Sequence, residues 1–265
     1  MNYSINLGDR KLYAELYGKG RPTVVIEVGS TQAGTKDKGW WPIRDTVANE
    51  TSVLLYDRAG TGDSDPAPLP RPISAFTDDL HAVLQTVKAE TPGLPPYLLV
   101  GGSFGGLIVT HYAALHPAEI AGIVLEDSTH PEHNPRTLEI LPPETPGEPQ
   151  ALTNFRSLLW QETYAPLSTN EEEGLDFPAS IAQMRRAWNL GSIPLSVLTA
   201  GEDEWEPGFP EDVAARYEAL WLDLQKELAA RSTRSTHIIV EGSGHVIHWE
   251  KPQAVLEAIY RLRKL

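Results

Sequence analysis

A chain of 265 residues with 41% hydrophobic and 22% charged residues has the make-up of one large soluble α/β domain with a sizeable core. Its net charge of −14 argues against nucleic acid and anionic membrane as partners. The absence of cysteine excludes disulfides, thiol catalysis and thiolate metal sites. The opening Met1–Ile5 does not read as a signal peptide, and no apolar run approaches membrane-spanning length, so a cytoplasmic protein is expected. The oligomeric state is left open.

Tyr3–Leu7 and Lys11–Tyr17 alternate around Gly8-Asp9 and predict an N-terminal hairpin. Thr23–Val28 is a buried-strand pattern that runs into the small-residue loop Gly29–Gly34. Trp40–Glu50 predicts a short helix with Pro42 in its first turn. The next strand, Ser52–Tyr56, ends in Asp57-Arg58-Ala59-Gly60-Thr61-Gly62-Asp63-Ser64. There Asp57 and Arg58 are expected to hydrogen-bond within the turn while the glycines take its difficult dihedrals. A proline-rich connector precedes Ile73–Ala89, an amphipathic helix with Phe76, Leu80, Val83, Leu84 and Val87 on one face.

The apolar run Tyr97–Val100 turns through Gly101-Gly102-Ser103-Phe104-Gly105-Gly106 into the helical pattern Leu107–Leu115. Strand, Gly-x-Ser-x-Gly and helix together make a nucleophile elbow, in which side chains at Gly101 or Gly105 would collide with neighbouring backbone. Ser103 is the candidate nucleophile. The N–H of Phe104, at the helix start, faces a developing oxyanion. The N–H of Ser30, in the loop after the first buried strand, is the expected second donor.

Beyond strand Ile120–Leu125 the pattern changes. Residues 128–192 are rich in proline, carry Glu171-Glu172-Glu173, and include an amphipathic piece over Ile181–Leu190. They read as a helical cap inserted into a core formed by 1–127 and 193–265. Strand Leu195–Leu198, helix Glu211–Ala230, strand His237–Val240 and a helix beginning near Pro252 complete the core. Alternating strands and helices imply a mostly parallel, doubly wound sheet whose site lies at the carboxyl ends of the strands. Ser30, Ser103, Asp127, Asp203 and His245 all follow a strand directly.

A serine hydroxyl needs a base held in one tautomer by a carboxylate. His245, in Gly242-Ser243-Gly244-His245 after the last strand, is the expected base, and His248 is read as packing or facing solvent. The order serine, acid, histidine admits both Asp127 and Asp203.

The elbow, the Asp57–Ser64 turn and the Gly242–His245 loop occur in the order seen in the α/β-hydrolase fold family, and the chain resembles that family over essentially its full length. The resemblance implies the family's sheet with a helical cap. It also implies a two-step acyl transfer by a Ser103–His245–acid triad, without cofactor or metal. The family commonly places its acid in Gly-x-x-Asp after the strand represented by Leu195–Leu198, where Glu204 stands here and Asp203 is one residue short. Asp127 fits the arrangement of members with the acid one strand earlier, and is favoured. The expected activity is hydrolysis of a small to medium ester or amide substrate, with a carboxylic ester first. His130 and the cap aromatics Trp160, Trp188 and Phe177 are the expected substrate contacts. The alternatives are a proline aminopeptidase using Glu171–Glu173 to hold an amine, a non-catalytic receptor, and a perhydrolase with the same triad.

Overall fold

The computed structural model describes residues 1–264 except 31, 92, 165–172, 203, 204 and 206. The chain runs β1 (Asn2–Asn6), β2 (Lys11–Tyr17), β3 (Thr23–Glu27), α1 (Trp41–Ala48), β4 (Val53–Asp57), α2 (Ile73–Glu90), β5 (Tyr97–Gly102) and α3 (Gly105–Leu115). It continues through β6 (Ile120–Glu126), α4 (His133–Ile140), α5 (Gln150–Tyr164), α6 (Phe177–Arg186), β7 (Leu195–Ala200), α7 (Glu211–Ala229), β8 (Ser235–Val240), α8 (Ile247–Glu250) and α9 (Pro252–Arg263). Among the described residues, eight strands form one sheet in the order β1-β2-β4-β3-β5-β6-β7-β8. Only the β1–β2 and β2–β4 pairings are antiparallel; the rest of the sheet is parallel.

Burial explains the two strand patterns. β1 alternates exposed and buried residues because one of its faces meets water, whereas β3, β4 and β5 are buried throughout. A parallel strand whose connections place helices on both faces has no solvent side, so its sequence reads as a continuous apolar run. One core layer lies under α2 and α3 and takes in Phe76, Leu80, Val83, Leu84 and Val87, the face read from the helical period. The opposite layer lies under α1 and α9. A third, smaller cluster of Leu141, Leu152, Leu159 and Val213 joins α5 to α7.

Between β6 and β7 the chain leaves the sheet through α4, α5 and α6. The last of these begins earlier than its amphipathic pattern suggests. Asp176 accepts a hydrogen bond from the Ala179 N–H at 3.0 Å, and Pro178 occupies the first turn. A side-chain cap followed by a proline nucleates the helix ahead of its apolar stripe.

β3 is neighboured by β4 on one side and β5 on the other, so the crossovers from β3 to β4 and from β4 to β5 run in opposite directions along the sheet. That reversal opens a crevice at the carboxyl ends of β3 and β5. The loop after β3 and the turn after β5 both border it.

Candidate active site

Ser103 sits on the turn from β5 to α3 with φ +46, a left-handed backbone conformation that L-residues seldom adopt. Its surroundings hold it there. The Ser103 N–H donates to the Glu126 carbonyl at 3.0 Å, and its own carbonyl accepts from the N–H groups of Gly106 and Thr129. A Cβ at Gly105 would stand 2.2 Å from the Glu27 carbonyl oxygen, and one at Gly101 would stand 2.7 Å from Val109. The two glycines of Gly-x-Ser-x-Gly therefore let α3 press against the ends of β3 and β5, and this pushes Ser103 up out of the turn.

Asp127 follows β6 directly and also has a left-handed backbone, φ +39. Its N–H donates to the Leu198 carbonyl at 2.7 Å, which ties it to β7. The side chain is buried and accepts three hydrogen bonds. Oδ2 receives His245 Nδ1 at 2.7 Å, and Oδ1 receives the Ala200 N–H at 3.0 Å and the Trp221 Nε1–H at 2.9 Å. His245 Nε2 lies 3.0 Å from Ser103 Oγ. The sheet thus brings the serine after β5, the aspartate after β6 and the histidine after β8 into one hydrogen-bonded row. Asp203 lies outside the described residues.

This geometry can be set beside known proteins. Residues 33–258 match the family model described as the alpha/beta hydrolase family. The chain belongs to the alpha/beta hydrolase family. Uncharacterized protein YqjL of Bacillus subtilis (strain 168) is 28% identical over 243 residues, 92% of this chain and 84% of that protein. Among solved structures, a thermophilic esterase from Thermogutta terrifontis aligns with a TM-score of 0.62 at 22% identity, covering 100% of this chain and 98% of its own. The enol-lactonase from Burkholderia xenovorans LB400 aligns at 0.67 and 18% identity, covering 99% of this chain and all of its own. At such identities the two structures speak for the fold; membership of the family supports a hydrolase.

Above the row of this hydrolase lies a cavity of about 570 Å³. Ser103, Phe104 and His245 form its floor, and Phe155, Phe177, Trp205, Phe209, Tyr217 and Trp221 line it. Four of these six aromatics belong to α7 and the loop before it, which come after β7, so residues beyond the inserted segment help to roof the site. His133 also faces the cavity, with Nε2 3.0 Å from the Tyr217 hydroxyl. Burial, and then the charge of nearby His245, lower its pKa to about 4, so it stands over the site as a neutral imidazole near neutral pH. Among the described residues no cluster of three or more His, Asp or Glu is arranged to hold a metal ion, and no helix is long and apolar enough to cross a membrane.

Several expected contacts lie elsewhere. Trp160 is 55% exposed and packs against Tyr164, because α5 turns Phe155 and Leu159 to the cavity and this residue to solvent. His130 and Trp188 meet edge to face, with ring centroids 5.1 Å apart, and line a separate surface pocket beside Glu227. Burial lowers the His130 pKa to about 3. Of the cap aromatics named from the sequence, Phe177 lines the Ser103 cavity.

The expectation that Arg58 bonds within its own turn is also corrected. Asp57 does brace the turn, accepting from the Asp63 N–H at 2.9 Å as well as from Thr35. The Arg58 guanidinium instead runs beneath the loop after β3. It donates to the Glu27 carboxylate and to the Val28 and Gly29 carbonyls, and it meets Glu173 through two hydrogen bonds of 2.8 and 2.5 Å. A fork of five donors can satisfy this many acceptors at once. Glu173 is therefore committed to Arg58 and does not line the cavity; Glu171 and Glu172 lie outside the described residues. Burial raises the pKa of Glu27, with Arg58 opposing it. Replacing Arg58 by Met would take the guanidinium from the buried Glu27 carboxylate and from the Val28 and Gly29 carbonyls, at an expected cost of about 3–5 kcal/mol. Urea unfolding would register this as a large fall in the midpoint, and a change below about 1 kcal/mol would show the network to be energetically neutral.

Two groups bordering Asp127 were not legible as site residues. Trp221 is one apolar residue among several on α7, and only the need of a buried indole N–H for an acceptor hints at its role. Glu126 falls just past its predicted strand, which in fact runs through it, and nothing local points to its bond with His248.

Proposed function

We propose that this hydrolase cleaves carboxylic esters of small to medium size through an acyl-enzyme, with Ser103 as nucleophile, His245 as general base and acid, and Asp127 as the orienting carboxylate. The observation that carries the reading is the row of contacts at 3.0 and 2.7 Å from Ser103 Oγ through His245 to Asp127, at the floor of an aromatic cavity. Because Nδ1–H donates to Asp127, the His245 lone pair lies on Nε2, which faces the serine.

In the first step Nε2 takes the Ser103 proton as Oγ attacks the ester carbonyl. The oxyanion is received by the N–H groups of Phe104 and Ser30. The loop carrying Ser30 is held from below by Arg58, whose donors grip the Val28 and Gly29 carbonyls. The proton then passes from Nε2 to the leaving alcohol. In the second step Nε2 takes a proton from water as it attacks the Ser103 ester; the acyl carbon–Oγ bond then breaks, Nε2 returns the proton to Oγ, and the acid is released. Residues 128–192 act as the cap. Cavities of this size suit a ligand of drug-like dimensions, and the aromatic lining favours an apolar acyl group.

Fluorophosphonate treatment followed by peptide mapping, with hydrolysis of 4-nitrophenyl esters in parallel, tests the proposal. Modification at Ser103 that abolishes ester hydrolysis is the expected result. An unmodified Ser103, or hydrolysis that survives its modification, overturns it.

A further inference from the structure

Ser103 borders a second, smaller cavity of about 180 Å³, different in character from the aromatic one. His245 and Val246 of the loop after β8 and His248 of α8 form part of its wall, Ser30 another part, and Glu126 lies beside Ser103. His245 is followed three residues later by His248 as Glu126 is followed by Asp127, and the two pairs meet. Asp127 holds His245, and Glu126 Oε1 receives both the N–H and the Nδ1–H of His248 at 2.7 Å each. His248 is buried and stacks on Trp40, with centroids 4.2 Å apart and planes within 8°. Its expected role as a packing residue therefore comes with a specific acceptor.

Both of these hydrogen bonds fall on Oε1. The other oxygen, Oε2, is turned to Gly102, where a Cβ would stand 2.5 Å from it. Only a glycine before Ser103 leaves room for this carboxylate at the cavity wall. On the facing side Gln32 borders the same space, and its Oε1 is buried without a hydrogen-bond partner. A carboxylate oxygen at the wall of a cavity beside a reactive serine favours a ligand that brings a donor to it. The cavity is far larger than the space one water requires.

We propose that this cavity is the alcohol subsite of the hydrolase, and that Glu126 selects short alcohols carrying a second hydroxyl, as leaving group and as acyl acceptor. The inference rests on the acyl-enzyme reading above. The leaving oxygen must lie against His245 Nε2 to receive its proton, and this cavity is walled by the loop that carries His245. The aromatic cavity then holds the acyl half. An acceptor alcohol occupies the place that the leaving alcohol vacated, since one step is the reverse of the other. Its reacting hydroxyl gives its proton to His245 Nε2 while the acyl carbon–oxygen bond to it forms. The bond from that carbon to Ser103 Oγ then breaks, and the proton returns to Oγ. The second hydroxyl of the alcohol donates to Glu126.

The test is acyl transfer from 4-nitrophenyl phenylacetate to three alcohols of similar size, supplied separately at equal concentration: 1,2-ethanediol, 2-methoxyethanol and 1-propanol. The diol can donate a second hydrogen bond, the ether can only accept one, and propanol can do neither. Wild type is expected to form the 2-hydroxyethyl ester about tenfold faster than the propyl ester, as a hydrogen bond to a charged acceptor allows, with the methoxyethyl ester no better than propyl. In Glu126→Gln an amide N–H faces the cavity while the amide oxygen still accepts from His248. There the diol preference should shrink and methoxyethyl transfer should rise relative to propyl. Equal use of the three alcohols by wild type overturns the proposal without any variant, and so does release of acid alone. A diol preference unchanged in Glu126→Gln removes Glu126 from the explanation. If the ester is not cleaved and Ser103 resists fluorophosphonate, the acyl-enzyme reading itself has failed.

Discussion

Ser103→Ala is expected to lower ester turnover by at least about four orders of magnitude, and His245→Ala by a comparable amount. The reason lies in how the two residues act. The serine oxygen is held by a strained turn at φ +46, with Nε2 at 3.0 Å ready to take its proton. Without the oxygen no acyl-enzyme forms. Without the imidazole the hydroxyl stays protonated near neutral pH and the leaving alcohol has no proton donor. Each loss alone stops the same step, so the double variant should be hardly slower than either single one. Steady-state rates with 4-nitrophenyl esters would measure this. Circular dichroism would show that the sheet survives, since neither side chain belongs to the core. A Ser103→Ala protein within tenfold of wild type would mean that water attacks the ester directly under another base, and the covalent mechanism would fall.

How far the sequence led can be judged from particular residues. The apolar face of α2 and the continuous runs of β3 and β5 were readable because period and burial have one cause, the helices covering both sheet faces. Ser103 and His245 could be singled out because glycines mark the tight turns that present them at strand ends. What the sequence does not carry is the angle at which one helix meets another. Trp160 and Phe155 lie on the same helix, yet only Phe155 reaches the cavity, and the rotation of α5 against α4 and α7 decides which. Trp188 was placed beside the substrate for being aromatic, whereas it packs against His130 and lies under the Arg231 guanidinium. Long-range partners were equally illegible. Arg58 and Glu173 are 115 residues apart, and no local rule pairs them.

The placement of the aromatic wall bears on how substrate size is set. Trp205, Phe209, Tyr217 and Trp221 come from the connection between β7 and β8, which is long here because α7 itself runs through 19 residues. Tyr217 stacks in line with Trp221, and Phe155 from α5 meets Trp205, Phe209 and Tyr217 edge to face. The cavity wall is thus an aromatic cluster built jointly by α5 and α7. α7 also sends Trp221 down to Asp127, so the element that shapes the cavity anchors the carboxylate as well.

That anchoring gives the second large expectation. Asp127→Asn should reduce kcat by about three to four orders of magnitude with little change in KM, while Asp203→Asn should remain within about threefold of wild type. An asparagine at 127 keeps the shape of the carboxylate. Its oxygen would still be claimed by the Ala200 N–H and the Trp221 indole, which both point at Oδ1. The amide nitrogen would then face His245 Nδ1 and donate to it, forcing the ring proton onto Nε2. A protonated Nε2 cannot accept from Ser103, so the base is disabled although every heavy atom stays in place. The indole makes this more severe, because it blocks the amide flip that would restore an acceptor to His245. Trp221→Phe removes one of the two donors that oppose the flip and leaves only the Ala200 N–H. On the Asp127→Asn background it should therefore recover part of the lost rate, whereas alone it should slow the enzyme modestly by loosening the carboxylate. A rescue of this kind measures tautomer control directly, since a structural role for Trp221 would make the double variant slower still. If Asp203→Asn proves to be the damaging change and Asp127→Asn the mild one, the carboxylate that serves His245 in turnover is Asp203.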